Sequence, residues 1–192
     1  DAAKYGYRYD EAAPYEILDN ADISTEELHR IHEAEHALER FWNSGRFPST
    51  MQEIFQSYYK GRYFEFFDEV GQYFITQQFP HRGYQLEDLF ACLHHFLLSK
   101  QINLFEQLRT DYYGNFTMRP PGFWEDSLDK AIKKKLLHLI SEDKEFLRAN
   151  QLTYKMIRKQ TAINTLSDNK YLLTIFIKDE KGARRAEVAY QF

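Results

Sequence analysis

His32-Glu33-Ala34-Glu35-His36 spells His-Glu-x-x-His. Two histidines four residues apart share a helical face and can hold one zinc ion, and the glutamate beside the first can activate a zinc-bound water for hydrolysis. A zinc-dependent hydrolase using His32, Glu33 and His36 is therefore one reading of the chain. The neighbouring residues argue against it. At about 100° per residue along a helix, Leu28, Ile31, Ala34, Leu38, Phe41 and Trp42 form an apolar stripe, while His29, His32 and His36 lie on roughly the opposite side. Glu35 adds a charge inside the motif. Phe41-Trp42-Asn43 supplies neither the glycine nor the third histidine of the longer zinc-protease pattern, and nothing singles out Glu53 or Glu65 as a further ligand. The stretch reads first as a solvated helix face, and no metal site is assigned to it.

Other residues that can do chemistry have plainer readings. Cys92 is the single cysteine, so the chain can build neither a disulfide nor a cysteine-type zinc or iron–sulfur site. It sits on the apolar stripe of "LEDLFACLHHFLL" and is expected to be buried. Adjacent His94 and His95 diverge on a helix and cannot chelate one ion. Lys133-Lys134-Lys135 form the wet side of a helix, and Arg184-Arg185 discourage pairing at a strand edge. No glycine-rich phosphate loop, nucleophile elbow or paired-carboxylate signature is present, so no catalytic or cofactor-binding residue is assigned. "ERFWNSGRF" (39–47) compresses a helix end, a glycine suited to the left-handed region and an aromatic anchor into nine residues. Asn43, Ser44, Gly45, Arg46 and Phe47 are its candidate interaction motif. Most of that motif reads as a structural joint, with the role of Arg46 open.

The elements that must position these residues follow from the pattern. The 192 residues include 16 Phe, 14 Tyr and 2 Trp, which favours helices anchored by aromatic rings. Residues 1–23 read as an extended lead-in. Ser24 and Glu27 make a capping box that starts a helix running to about Ser44, stopped by Gly45. Further helices are expected near 48–60, 63–78, 86–99, 103–113 and 124–140, with a short turn around 144–149. Then β-branched and aromatic residues take over in 152–161, 170–179 and 184–192, the last two joined by a hairpin turn at "DEKG". The fold class is α+β: a helical body of about six helices over 24–150, then a small antiparallel sheet over 151–192 docked on it as one structural unit. "SGRF" (44–47) and "KGRY" (60–63) recur 16 residues apart, each at a helix–helix joint.

A net charge of −4 makes nucleic acid a poor partner. No apolar run reaches the length of a membrane span, and the first residues lack a signal-peptide core, so a cytoplasmic protein is expected. The chain opens at Asp1 without a methionine, which suggests a fragment.

"YGYRYDEAAPYEIL", "STEEL" and "HALERFWNSGRF" (5–47) together resemble the junction in cobalamin-binding-domain radical SAM proteins where the catalytic barrel gives way to a C-terminal domain of unknown function. Pro14–Glu16, the Ser24-led helix and Asn43–Phe47 carry the match, which is clearest over roughly the first 60 residues. The resemblance implies a parent enzyme that binds cobalamin through another domain. It also implies a [4Fe–4S] cluster and S-adenosylmethionine held through a CxxxCxxC loop. None of those residues is in this chain, which then has no chemistry or cofactor of its own. Its partners would be the upstream radical SAM and cobalamin-binding domains, and its role to pack on the barrel, help close the active site or present substrate. The rivals are the zinc hydrolase and a free-standing helical module that binds a protein partner.

Overall fold

The structure, a computed structural model, describes residues 2–13, 15–116, 128–167 and 169–192. It is α+β, helices first and a three-stranded antiparallel sheet last. It divides into two compact units, Asp1–Gly45 with Met51–Ile102, and Arg46–Thr50 with Asn103–Phe192. The sequence pattern places a boundary where strands begin, near 150. The division by packing falls at 102/103, because the later helices share their core with the sheet.

The first unit opens with α1 (Ala2–Tyr5) and a two-stranded antiparallel ribbon, β1 (Arg8–Tyr9) and β2 (Ile17–Asp19), where the sequence suggests only an extended segment. The Arg8 guanidinium donates to both carboxylate oxygens of Asp19 across the ribbon. α2 (Thr25–Leu38) starts at the expected capping box: Glu27 N–H donates to Ser24 Oγ at 3.2 Å, and Ser24 N–H donates to Glu27 Oε2 at 2.9 Å. Its partner is α4 (Tyr63–Thr76), and the two meet through small residues. A Cβ on Gly71 would lie 2.7 Å from the Glu33 carbonyl carbon and 2.9 Å from the Ala34 nitrogen. Ala34 and Ala37 are buried on the facing side.

This contact corrects part of the apolar stripe read from the sequence: Ala34 and Phe41 are buried and His29, His32 and His36 exposed, as expected, but Glu33 is drawn inward. The buried face of α2 runs through Glu33, Ala34, Ala37 and Phe41, whereas Ile31 and Trp42 remain 42% and 44% exposed. Close backbone approach at Gly71 decides the rotation, and the bulky apolar residues are left flanking the contact. On one flank Arg30 pairs with the Asp68 carboxylate of α4.

α2 continues into a π-helical turn at Glu39–Asn43, in which Ser44 N–H reaches back five residues to Glu39 O at 3.1 Å. α3 (Pro48–Glu53) does the same through Ile54–Tyr58, with Tyr59 N–H on Ile54 O at 2.8 Å. Gly45 (φ 65°) and Gly61 (φ 81°) follow these turns, so the recurrence of "SGRF" and "KGRY" marks two similar helix exits. α5 (Leu86–Ser99) completes the unit, its Phe96 ring edge-on to Phe66 of α4 at 6.0 Å.

In the second unit the sheet runs β3 (Thr161–Ser167), β4 (Lys170–Asp179), β5 (Gly182–Gln191), in that spatial order. Thr161 pairs with Ile175, and the β4–β5 hairpin closes at Asp179 opposite Gly182. Leu152–Thr161, expected as a strand, is instead mostly helix: α9 spans Tyr154–Gln160, and Thr153 Oγ1 accepts from Met156 N–H. The threonine cap and the burial of Ile157 and Gln160, three residues apart, suit a short helix with one face against a sheet. α7 (Lys130–Glu142) is capped by Asp129 and α8 (Lys144–Ala149) by Asp143. The expected helix start near Trp124 lies outside the described residues.

β4 is covered on both faces, which explains its near-continuous apolar run "YLLTIFI". Tyr171, Leu173, Ile175 and Ile177 meet Leu136 and Ile140 of α7 and Ile157 of α9. Phe176, on the other face, stacks on Tyr113 of α6 (Phe105–Asn115) with centroids 4.7 Å apart. α6 also buries Asp111, which accepts from Ser49 N–H at 3.0 Å and from Thr50 N–H and Oγ1 at 2.8 and 2.6 Å, satisfying the first amides of α3. Burial raises the Asp111 pKa even though those hydrogen bonds pull it down. Because its folded value lies above the unfolded one, ionising Asp111 opposes folding as pH rises through that window.

Two stability outcomes follow. Gly71→Ala should cost about 2–3 kcal/mol in denaturant unfolding, because the contacted atoms are backbone and cannot swing aside. Asp111→Ala should cost a similar amount, roughly 2–3 kcal/mol, by leaving the buried amide and hydroxyl of Thr50 and the part-buried amide of Ser49 without their partner. A loss below about 0.5 kcal/mol in either variant would remove the corresponding contact from the account.

Candidate functional site

The rotation of α2 turns Glu33 inward and changes what its histidines can do. Glu33 is 3% exposed, and its Oε1 lies 3.2 Å from Nε2 of His81, in the loop between α4 and α5. One turn further along α2, the His36 ring sits 4.5 Å from the His81 ring, centroid to centroid, at 57°. Glu33, His36 and His81 each present a ligand-type atom, and these three atoms lie within 4.8 Å of one another. His32 is exposed and outside this group. Of the motif His32-Glu33-x-x-His36, the structure thus gathers Glu33 and His36 and adds a histidine 45 positions beyond the second.

Arg40 holds the loop in place. Its Nη2 donates to the His81 carbonyl at 3.0 Å and its Nε to the Tyr84 hydroxyl at 3.3 Å. The guanidinium also packs against the rings of Phe74 and Tyr84, at 5.3 and 5.4 Å from their centroids. The His36 pKa is lowered, first by burial and then by His81 and Arg40, with Glu33 and Glu35 acting the other way. Glu33 Oε2 is buried and has no hydrogen-bond partner among the described residues. The cluster opens on a cleft of about 470 Å³ whose walls include Ile17 and Leu18 of β2 and His29 and His32 of α2.

The displaced apolar residues of α2 make a second feature. Ile31, Leu38 and Trp42 line a groove of about 490 Å³ with Tyr63, Phe64 and Phe67 of α4. Tyr63 is 50% and Phe64 61% exposed. The Trp42 ring stands edge-on to Tyr63 at 5.8 Å.

The remaining sequence candidates lie elsewhere in the fold. In the Asn43–Phe47 motif, Asn43 Nδ2 donates to Glu39 Oε1, Ser44 Oγ to Arg40 O at 2.6 Å, and Gly45 N–H to Trp42 O at 3.0 Å. Arg46 offers its carbonyl to Asn115 Nδ2 at 3.0 Å, and Phe47 is fully buried. His94 is buried and His95 exposed, as their helical divergence requires. Lys135 lies over the Phe192 ring at 4.0 Å. Cys92 is buried, and burial pushes its thiol up to about 12 against a smaller opposing effect of Arg40. His81 and Arg40 escaped the sequence reading. The only local signal was a histidine in the loop "FPHRGY", where glycine and proline break the helix and loops carry function.

Comparison with known families matches residues 3–183 to a family described as protein of unknown function, DUF4080. The chain belongs to the DUF4080 family. The match spans both units of the DUF4080 fold and nearly all of the elements described above. Neither the curated proteins nor the solved structures contain a match to it.

Cys92 gives a direct check on the packing of α5. In the folded DUF4080 chain at pH 8 it should react with a thiol reagent at least about 100-fold more slowly than in the unfolded chain, since the thiolate is the nucleophile. Free labelling without denaturant would contradict its burial.

Proposed function

We propose that this chain is a non-catalytic accessory domain at the C-terminal end of a cobalamin-dependent radical SAM enzyme. In this reading it packs on the catalytic barrel and helps close the active site or present substrate. The observation that carries the docking role is the aromatic groove of α2 and α4. Ile31, Trp42, Tyr63 and Phe64, exposed at 42–61%, form one contiguous apolar patch, and patches of that kind mark interaction sites. The radical SAM context is supported by the resemblance of residues 5–47, including Asn43–Phe47.

The chain's own residues do not fit the parent's cofactors. A [4Fe–4S] cluster is held by several cysteine thiolates, whereas Cys92 is alone, buried and held in its thiol form. No step of radical chemistry is therefore assigned here, and the cluster, S-adenosylmethionine and cobalamin belong to the upstream domains. Those domains are the proposed partners, rather than nucleic acid or a membrane. Among the described residues no helix is long and apolar enough to cross a bilayer, and the proposed compartment is the cytoplasm.

The test uses the intact parent. Ile31→Glu with Phe64→Glu should leave the melting temperature within about 2 °C, because both side chains are already largely in water, yet lower turnover at least tenfold. Undiminished turnover would remove the groove from the mechanism. An upstream reading frame without CxxxCxxC would end the radical SAM assignment whatever the groove does.

A further inference from the structure

We propose that Glu33, His36 and His81 form a binding site for a divalent transition-metal ion of the zinc class, with its remaining coordination positions open to the cleft beside β2. This stands apart from the radical SAM reading and needs no partner domain.

The first support is geometric. Zinc bonds of about 2.0–2.1 Å in tetrahedral arrangement place ligand atoms roughly 3.3 Å apart. Glu33 Oε1 and His81 Nε2 are already 3.2 Å apart. All three ligand atoms fall within 4.8 Å of one another, and the His81 side chain, 51% exposed, is free to close the rest by rotation.

The second support is energetic. Glu33 is a nine-tenths-buried carboxylate whose Oε2 has no hydrogen-bond partner among the described residues. A buried carboxylate left partly unpaired is costly, and such groups are ordinarily paired or bound to metal. His81 alone offers a single contact to Oε1. A cation seated among the three side chains would compensate the charge.

The third support is the scaffold. Glu33 and His36 are one helical turn apart, on a helix whose position is set by backbone contact with Gly71. His81 comes from a loop tethered by Arg40 through its carbonyl and through Tyr84, the kind of supporting bond that metal-ligand loops need. Two imidazoles and one carboxylate suit zinc, iron(II), cobalt or nickel, and suit magnesium or calcium poorly. Three protein ligands with an open side is also the pattern of ions that retain a water or take up a substrate atom.

The arrangement differs from the one the sequence motif suggests. Here Glu33 is a ligand and not a general base, and His32 takes no part. That difference makes the test specific. The whole 192-residue chain, purified without a histidine tag and stripped with a chelator, is titrated with Zn2+ by calorimetry, and with Co2+ while its visible absorption is followed. One ion should bind per chain with a rise in melting temperature, and Co2+ should develop a visible band. His36→Ala, His81→Ala and Glu33→Gln should each weaken binding roughly 100-fold and abolish the metal-dependent rise. His29→Ala and His32→Ala should stay within about threefold of the parent chain. Because His81 is half-exposed on a loop, its variant should keep the fold, as circular dichroism would verify. The proposal is overturned by the absence of stoichiometric binding, or by binding that survives His81→Ala. Loss of binding in His32→Ala, with His81→Ala unaffected, would restore the sequence motif in its place.

Discussion

At Gly71 two helix backbones come as close as they can, because α4 has no side chain there and Glu33–Ala34 of α2 fill the space. Much of the first unit depends on that contact. It sets the rotation of α2, so that Glu33 is drawn beneath the surface while Ile31 and Trp42 are turned out of the core. The buried carboxylate with its histidine neighbours and the exposed aromatic groove are thus two sides of one packing decision. Neither feature can be shifted alone, since rotating α2 to bury Trp42 more deeply would withdraw Glu33 and His36 from His81.

The second unit follows a different rule. Its three strands are too few to stand alone, and helices on both faces make up the difference. The alternation in β4 shows this residue by residue, with Leu173 and Ile175 towards α7 and α9 and Phe176 towards α6. α6 gives little sign of its importance in hydropathy, because several of its buried residues are polar. Arg109 is held by Glu106 and Asn164 and packs over the Phe105 ring, and Asp111 is held by the first amides of α3. Such side chains are soluble-looking in sequence and buried in the fold.

Legibility in the sequence tracked how local each cause was. Ser24 with Glu27, Gly45 after a helix, and the apolar run of 170–179 act within a few residues, and each led to the right element. The strand expected at Leu152–Thr161 failed because β-branched and aromatic residues are common to strands and to short amphipathic helices, and Thr153 decided the matter as a cap. The buried face of α2 was read only in part: Ala34 and Phe41 lie on it, but Ile31 and Trp42 do not, because large apolar residues dominate a periodicity count although small residues govern close helix approach. His81 was invisible for a simpler reason: a loop residue reaches Glu33 and His36 only through tertiary structure. The motif lies on the helix that carries Glu33 and His36, but its spacing holds no sign of His81.

The two π-helical turns, at Glu39–Asn43 and Ile54–Tyr58, bear on how such a chain could change. A π turn is an α-helix carrying one surplus residue, so each is a place where the length of the chain is out of step with the length of the helix. Removing that residue would restore ordinary winding and leave the helix beyond it on nearly the same face, because five residues of a π turn sweep about the same arc as four of an α turn. Single-residue length changes can therefore be absorbed at these two turns, leaving the faces of the flanking segments as they are.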